Sequence, residues 1–428
     1  MSNLNKNQKI RDTYVATKLR RQSQSVQVVT VKVQENKLNK AQWEGLKMNF
    51  VEAKWLYNHI LSLSKNDGGV DVFSIDYTDI DKVTHYDKDH NPIESSLTHL
   101  SSQMKQDIIR GICANISNLA KAKKKGLEVG ALKFISEYNS INLKQYNVSH
   151  KIAGSRRIKV QGIKKPLPVN GLDQLRRFEN YEIANAKLIK RPSGYYIALS
   201  VYINKDDIPV IEKDKGTIGI DMGCQTSFTL SDGRKFNFQI EESEQTKRLQ
   251  RQLQRKVKGS NNWRKAKLKL QKAHEKDTNR RNDAAKKFAY LLKEYNVVIQ
   301  NEQLNEWKEN GHGKKVQHSI LGRVKQLLIN NGATVLSEWL PTTKFCRNCG
   351  HKITLTERER VFKCPYCGAE EDRDVHAAKN MVWFRENIVG VGRTEYKPAE
   401  FNKAVFDLFG AVLSDESQKQ QEATNSLG

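Results

Sequence analysis

Gly216-Thr-Ile-Gly-Ile-Asp221-Met-Gly-Cys224 is an apolar run that closes on an acid, and two short apolar segments follow at once, Ser227-Phe-Thr-Leu230 and Arg234-Lys-Phe-Asn-Phe238, joined by Ser231-Asp-Gly233. An Asp-Gly pair suits the positive φ of a tight hairpin. The reading is therefore three consecutive antiparallel strands with a carboxylate near the end of the first. Taken alone, an acid at a strand end is more often a turn residue than a reactive group.

A ribonuclease H-like domain begins in this way, and the downstream residues extend the pattern. Two very basic helical stretches, about Ser243 to Lys258 and Asn262 to Leu292, are separated by Gly259-Ser-Asn261. The strand Asn296-Val-Val-Ile-Gln300 runs into Asn301-Glu302. A polar loop (Asn305 to Lys315), a helix (Val316 to Asn330) and a strand (Ala333 to Trp339) come next. Then follow Cys346-Arg-Asn-Cys349, Cys364-Pro-Tyr-Cys367 and Asp372-Arg-Asp374-Val-His376-Ala-Ala378, the last opening a helix from Asp374 to about Glu386. Residues 415–428 lack periodicity and are expected to be a disordered tail.

Upstream, Ser25 to Gln34 alternate apolar and polar residues, as a half-buried strand does. Helices are expected from Lys40 to Leu63, with Trp43, Leu46, Phe50, Tyr57 and Ile60 on one stripe, and from Ser95 to Lys125, with Leu97, Leu100, Met104, Ile108 and Ile112 on another. Such stripes are more often core than binding surface. From Ala131 to Asn204 the pattern returns to strands, with a hairpin turn at Arg191-Pro-Ser-Gly194. The expected architecture is a multidomain α+β protein. A β-barrel (1–39 and 127–205) carries a helical insertion (40–126), and an α/β domain (206–342 and 371–414) carries a zinc ribbon (343–370).

The 428 residues suffice for two or three domains. With 73 basic against 48 acidic residues, the formal charge is +25, and the cations are spread over many segments. A surplus that large repels itself unless a polyanion neutralises it, which points to nucleic acid. Six cysteines in so long a chain do not form a disulfide framework: four sit in the CxxC pairs, and only Cys113 and Cys224 remain. That usage fits a reducing cytosol with one structural metal. The N-terminus lacks the apolar core of a secretory signal, and no apolar run approaches ~18 residues, so no membrane span is expected.

Two CxxC turns present four thiolates to one tetrahedral ion. With Cys346, Cys349, Cys364 and Cys367 all ligating, no coordination position stays open, and the expected Zn²⁺ is structural. Asp221, Glu302 and Asp374 lie at a strand end, just past a strand and at a helix start. Phosphodiester hydrolysis by two Mg²⁺ ions needs several carboxylates drawn together in this manner. Each acid alone is weak evidence, since an acid before a helix is usually its cap. Asp372 competes with Asp374 for the third role. The basic helices read as a wall of phosphate contacts with strong salt dependence, or as a solvated hairpin.

Several segments together resemble a known family. They are Gly219-Ile-Asp221-Met-Gly, Arg255-Lys-Val-Lys-Gly-Ser260-Asn-Asn-Trp263, Glu302 after its strand, Pro341-Thr-Thr-Lys-Phe-Cys346, both CxxCG knuckles and Asp372-Arg-Asp374-Val-His-Ala-Ala-Lys-Asn-Met381. They are similar to the transposon-associated TnpB nucleases and the miniature type V CRISPR effectors. The likeness is dense from about Gly216 to Met381; upstream it is one of layout only. It implies an RNA-guided DNA endonuclease with a RuvC-type site at Asp221, Glu302 and Asp374, two catalytic Mg²⁺ and one structural Zn²⁺. The implied partners are a guide RNA, target double-stranded DNA and single-stranded DNA, with a monomer or dimer on one guide, acting at the nucleoid of a prokaryotic cytoplasm. The N-terminal half becomes a wedge-like barrel with a helical recognition lobe, and the loop after Glu302 a lid. His376 stands where the family usually has Asn. Two alternatives remain: a guide-directed binder that does not cut, acting as a repressor, and a guide-independent DDE-type transposase or resolvase.

Overall fold

The computed structural model describes residues 3–65, 69–87, 89–209, 211–238, 240–304, 313–356 and 359–389. The expected tail, the stretch 390–414 and most of the lid loop lie outside these residues. The chain forms two compact units, Met1–Pro209 and Val210–Gly428.

In the first unit, α1 (Asn3–Gln22) leads into β1 (Gln24–Val33) and α2 (Lys40–Lys65). A hairpin of β2 (Lys82–Tyr86) and β3 (Pro92–Ser96) precedes α3 (Ser102–Lys124). Six strands follow: β4 (Ser140–Leu143), β5 (His150–Ile152), β6 (Arg157–Val160), β7 (Leu167–Asn170), β8 (Glu182–Arg191) and β9 (Gly194–Asn204). The antiparallel order β4-β8-β9-β1-β7-β6-β5 makes a nearly closed, barrel-like sheet. Val29, Val31 and Val33 of β1 join Ile197, Leu199 and Val201 of β9 and Leu46, Phe50 and Leu56 of α2 in one core. The mixed α+β expectation is met.

One local expectation needs correction, and two elements carry little sequence signal. α1 offers no apolar face, and of the β2–β3 strands only Val83 is buried. α3 starts at Ser102, with Ser101 as its cap, rather than at Ser95. The cause is the buried carboxylate of Glu52, which accepts the backbone N–H groups of Thr98, His99 and Leu100 and holds that segment out of the helix. Leu97 and Leu100 are still buried, so the apolar stripe runs past the helix that was inferred from it.

The second unit is built on a five-stranded sheet. β10 (Thr217–Met222), β11 (Phe228–Leu230) and β12 (Lys235–Phe236) are antiparallel neighbours. After α4 (Glu244–Gln254) and α5 (Asn261–Leu291), β13 (Asn296–Gln300) pairs parallel to β10, with Gly219 opposite Val298 and Ile220 opposite Ile299. α6 (Gly313–His318), α7 (Leu321–Asn330) and β14 (Thr334–Leu336) complete the order β12-β11-β10-β13-β14. β15 (Val361–Lys363) and β16 (Glu370–Asp372) form the ribbon hairpin, and α8 (Arg373–Phe384) follows directly.

Two more expectations change here. The helix read as Val316 to Asn330 is broken at Ser319 and Ile320, where the Ser319 hydroxyl donates to the Val316 carbonyl. β14 stops at Leu336 instead of continuing to Trp339. The Gln300 amide takes the carbonyls of Ser337, Glu338 and Leu340 and bends the chain off the sheet. Among the described residues, no helix is long and apolar enough to cross a membrane.

α8 lies flat on β10 because Gly219 has no side chain. A Cβ built there would sit 1.9 Å from the Ala378 carbonyl oxygen. Ala377 and Ala378 are fully buried at this contact. We expect Gly219→Ala to cost at least about 2–3 kcal/mol, because the clash is with backbone and cannot be relieved by a rotamer change. Its urea midpoint should fall; an unchanged midpoint would mean that α8 can lift off β10 freely.

Candidate catalytic and metal sites

The Gly219 contact fixes where the acids stand. α8 runs antiparallel to β10: Arg385 hydrogen-bonds Thr217 at 2.8 Å, and Ala378 covers Gly219. One helical turn back along α8 is Asp374, and two residues on along β10 is Asp221, on the same face as Gly219. Glu302 lies two residues past the end of β13, the parallel neighbour of β10. Asp221 keeps some solvent access although protein atoms surround its carboxyl closely. Burial, and then the negative charges of Asp374 and Glu302, push this carboxyl well above the usual carboxylate range, with Arg373 only partly opposing. Asp221 therefore feels the charge of both other acids.

Asp372 has a different occupation. One of its carboxylate oxygens accepts the Asp374 and Val375 amides, capping α8, and the other takes Lys235 at 2.7 Å. Against its partial burial, Lys235 and those amides hold its pKa below the ordinary value. With the cap supplied by Asp372, the Asp374 carboxylate does not serve as N-cap; Arg373 lies 3.4 Å from it.

Lys325 of α7 is a site residue that the sequence reading missed. It donates to the Asn301 side chain at 2.8 Å and to the Glu302 carbonyl at 3.0 Å, pinning the turn that carries Glu302. Partial burial lowers its pKa, and the charges of Glu302 and Glu338 resist that. Its place one turn after Leu321, on a helix with an apolar stripe, was the available signal.

Among the described residues, Cys346, Cys349, Cys364 and Cys367 are the group whose ligand atoms gather as a metal site requires, all within 4.8 Å of one another. Two of the sulfur pairs stand 3.6 Å apart. That is far longer than a disulfide and close to the ~3.8 Å edge of a tetrahedron with Zn–S bonds of ~2.3 Å. The donor set fits Zn²⁺. The two knuckles repeat one geometry: the Gly350 amide donates to the Cys346 carbonyl and the Gly368 amide to the Cys364 carbonyl. Both glycines have positive φ, 77° and 73°. The Ala369 amide holds the exposed Cys367 thiol down to about 7.

His376 lies between ribbon and helix. It is buried, stacks on Phe362 at 3.5 Å and sits 2.7 Å from both the Phe345 carbonyl and the Glu371 carboxylate. Burial lowers its pKa, against the pull of Glu371 and the Phe345 carbonyl. Although burial alone would raise the Glu371 pKa, hydrogen bonds from Arg347, Lys379 and His376 hold it down to about 2.

The basic hairpin of α4 and α5 is tied at one buried point. Asp277 accepts the Thr246 hydroxyl at 2.7 Å and the Ser243 amide at 3.2 Å. Beyond it, Arg251, Arg255, Lys258, Arg264, Lys265 and Lys269 are exposed. The C-terminal end of α5 enters the core, where Phe288 stacks on Phe228 at 4.4 Å.

Residues 200–306, which include Asp221 and Glu302, match the family model OrfB_IS605, described as "Probable transposase". Residues 329–381, which include the four cysteines and Asp374, match the Cas12f1-like TNB domain. A "Putative RNA-guided DNA endonuclease" of Streptomyces pristinaespiralis is 32% identical over 207 residues, 45% of this chain and 50% of that protein. The "Putative RNA-guided DNA endonuclease InsQ" of Escherichia coli (strain K12) is 28% identical over 240 residues, 49% of this chain and 58% of that protein. The chain thus spans about half the length of the curated relatives it matches. A solved assembly, "Cryo-EM structure of the Cas12f1-sgRNA-target DNA complex", aligns with a TM-score of 0.40 and 14% identity, over 80% of this chain and 81% of that one.

Proposed function

We propose that this chain, a member of the TnpB and miniature Cas12 family, is an RNA-guided DNA endonuclease that hydrolyses phosphodiesters with magnesium. The observation that carries the chemistry is the raised Asp221 carboxyl, destabilised as an anion by burial and then by the charges of Asp374 and Glu302. A buried carboxyl on the sheet that feels two further acid charges, from the turn after β13 and from the start of α8, suits divalent cations rather than a purely protein-based reaction. The strand order, three antiparallel strands extended by two parallel ones, supports a RuvC-type, ribonuclease H-like domain. RNA guidance rests on the names of the relatives.

Asp221, Glu302 and Asp374 are the residues that would hold the two ions. Bound there, the ions would activate water and stabilise the departing oxygen. Lys325 keeps the Glu302 turn in position, and Asp372 keeps the first turn of α8 intact. The exposed cations of α4 and α5 contact phosphates along the duplex, so binding falls steeply with salt. In the first unit, an open groove of about 1070 Å³ is lined by Arg156, Arg176, Phe178 and Tyr181 among others. Guanidinium charge beside aromatic faces is the chemistry that stacks bases and tracks a backbone. We assign guide-scaffold or flanking-motif contacts to that barrel with its helical lobe. The zinc ribbon is structural, and the protein acts at the nucleoid of a prokaryotic cytoplasm with one or two copies on each guide.

The test is to purify the chain with its co-expressed RNA, sequence that RNA and offer DNA with and without a matching target in Mg²⁺. Cutting confined to the matched DNA is expected. Target binding without cutting would make the protein a repressor, and cutting indifferent to the RNA would make it a transposase or resolvase. The mass of the complex gives the number of copies per guide.

A further inference from the structure

One buried chain of hydrogen bonds links β13, the approach to the ribbon and α8, and the catalytic proposal leaves it unused. The Gln300 amide nitrogen donates to the carbonyls of Ser337, Glu338 and Leu340, and its oxygen accepts the Thr342 hydroxyl at 2.8 Å. The Thr342 carbonyl accepts the Asn380 amide at 2.7 Å, and the same Asn380 nitrogen reaches the Phe345 carbonyl, also at 2.7 Å. The Phe345 carbonyl, 2.7 Å from His376, belongs to the peptide that enters Cys346. Gln300, Thr342, His376 and Asn380 are each no more than 6% exposed.

The chain ends beside the acids. Gln300 is two residues from Glu302, and His376 is two residues from Asp374. A packed apolar contact would hold these elements together without fixing their register. A fully satisfied polar network fixes both, because slipping by one residue strands buried donors and acceptors. We propose that this network is a clamp through which the zinc-bound ribbon sets the spacing between Glu302 and Asp374, with Thr342 and Asn380 as positioning residues. The inference rests on the acid assignment made above. Its consequence is that the ribbon supports the metal site mechanically, whatever nucleic-acid contacts it also makes.

Thr342 offers a clean test, since Val keeps its shape without the hydroxyl and Ser keeps the hydroxyl without the methyl group. The full-length, zinc-loaded chain, freed of nucleic acid, is titrated with Mn²⁺, and free ion is counted by electron paramagnetic resonance. Thr342→Val should weaken Mn²⁺ binding by about tenfold, the usual scale for a group supporting a metal ligand, while Thr342→Ser stays near wild type. Wild-type affinity in Thr342→Val, or equal weakness in both variants, would overturn the clamp. Should Thr342→Val fail to fold, hydrogen exchange on the wild-type chain decides. Chelating zinc should speed exchange at the amides of residues 301–302 and 374–376 and spare those of β10; no change at the first two overturns the clamp. Asp221→Asn is the control. If it binds Mn²⁺ like wild type, the acid assignment falls and takes the clamp with it; if it alone loses Mn²⁺, the acids stand and only the clamp falls.

Discussion

Asp221→Asn should cripple magnesium-dependent cutting and, without metal, make the protein melt at a higher temperature. Burial and the charges of Asp374 and Glu302 raise the folded-state pKa of this carboxyl. For an acid with a raised pKa the sign is fixed. As pH climbs from the unfolded value of ~3.9 towards the folded one, the unfolded chain releases its proton first and the fold loses stability; above the folded value the loss is constant. Asparagine never ionises, so its advantage over wild type should open above pH ~4 and then level off. Each kcal/mol relieved is worth roughly 2–4 °C in a unit of this size. Magnesium reverses the order: it should raise the wild-type melting temperature by preferential binding to the fold and leave the variant unmoved. Cutting should fall by on the order of 10²–10³-fold or more, the scale for deleting one group that acts on developing charge. Melting curves with EDTA and with Mg²⁺ across pH, beside a cleavage assay, test all of this. A variant that melts below wild type in EDTA would make Asp221 a structural acid. Asp372→Ala is the useful companion: losing a cap costs about 0.5–2 kcal/mol, and cutting should survive it better than it survives Asp374→Ala.

Cys364→Ser should empty the ribbon of zinc and unfold it. The apolar core of the module consists of little more than Ile353, Phe362 and the buried cysteines Cys346 and Cys364. A core that small does not offset the entropy of ordering about 28 residues, so the metal supplies the difference. The loss should spread, because Phe362 stacks on His376 and the Phe345 carbonyl anchors α8. Metal analysis should give one zinc per wild-type chain and none in the variant. Limited proteolysis should cut the variant between residues 343 and 370 while the barrel unit resists. Stoichiometric zinc in the variant would refute the four-cysteine site.

How the site was legible differs from residue to residue. The cysteine spacing specifies its ion almost by itself, because CxxC turns form through contacts a few residues long. Asp221 was legible as a candidate because a strand with an acid at its end and a hairpin behind it is also a local pattern. Asp374 and Asp372, two residues apart, could not be separated by sequence. Only the folded chain shows that Asp372 caps the helix with one oxygen while its other takes Lys235, 137 residues away. Lys325, Gln300 and Asn380 look like ordinary polar positions until the chain is folded, since every one of their roles is a contact across elements. The misplaced start of α3 has the same origin: Glu52, from another helix, outbid the local apolar periodicity for three backbone amides.

What this sequence determined on its own is whatever forms within a few residues: the knuckles, most of the strands, the basic helices, the identity of the candidate acids and the excess of positive charge. Tertiary structure alone decided the rest, namely that Gly219 lets α8 descend onto β10, that the Asp221 carboxyl is buried where it feels the charges of Asp374 and Glu302, and that a buried amide network ties the ribbon to the sheet. The physical reason is range. Propensity, turn geometry and chelate spacing act between neighbours in the chain, whereas close packing, desolvation and Coulomb repulsion depend on which distant residues the fold brings together.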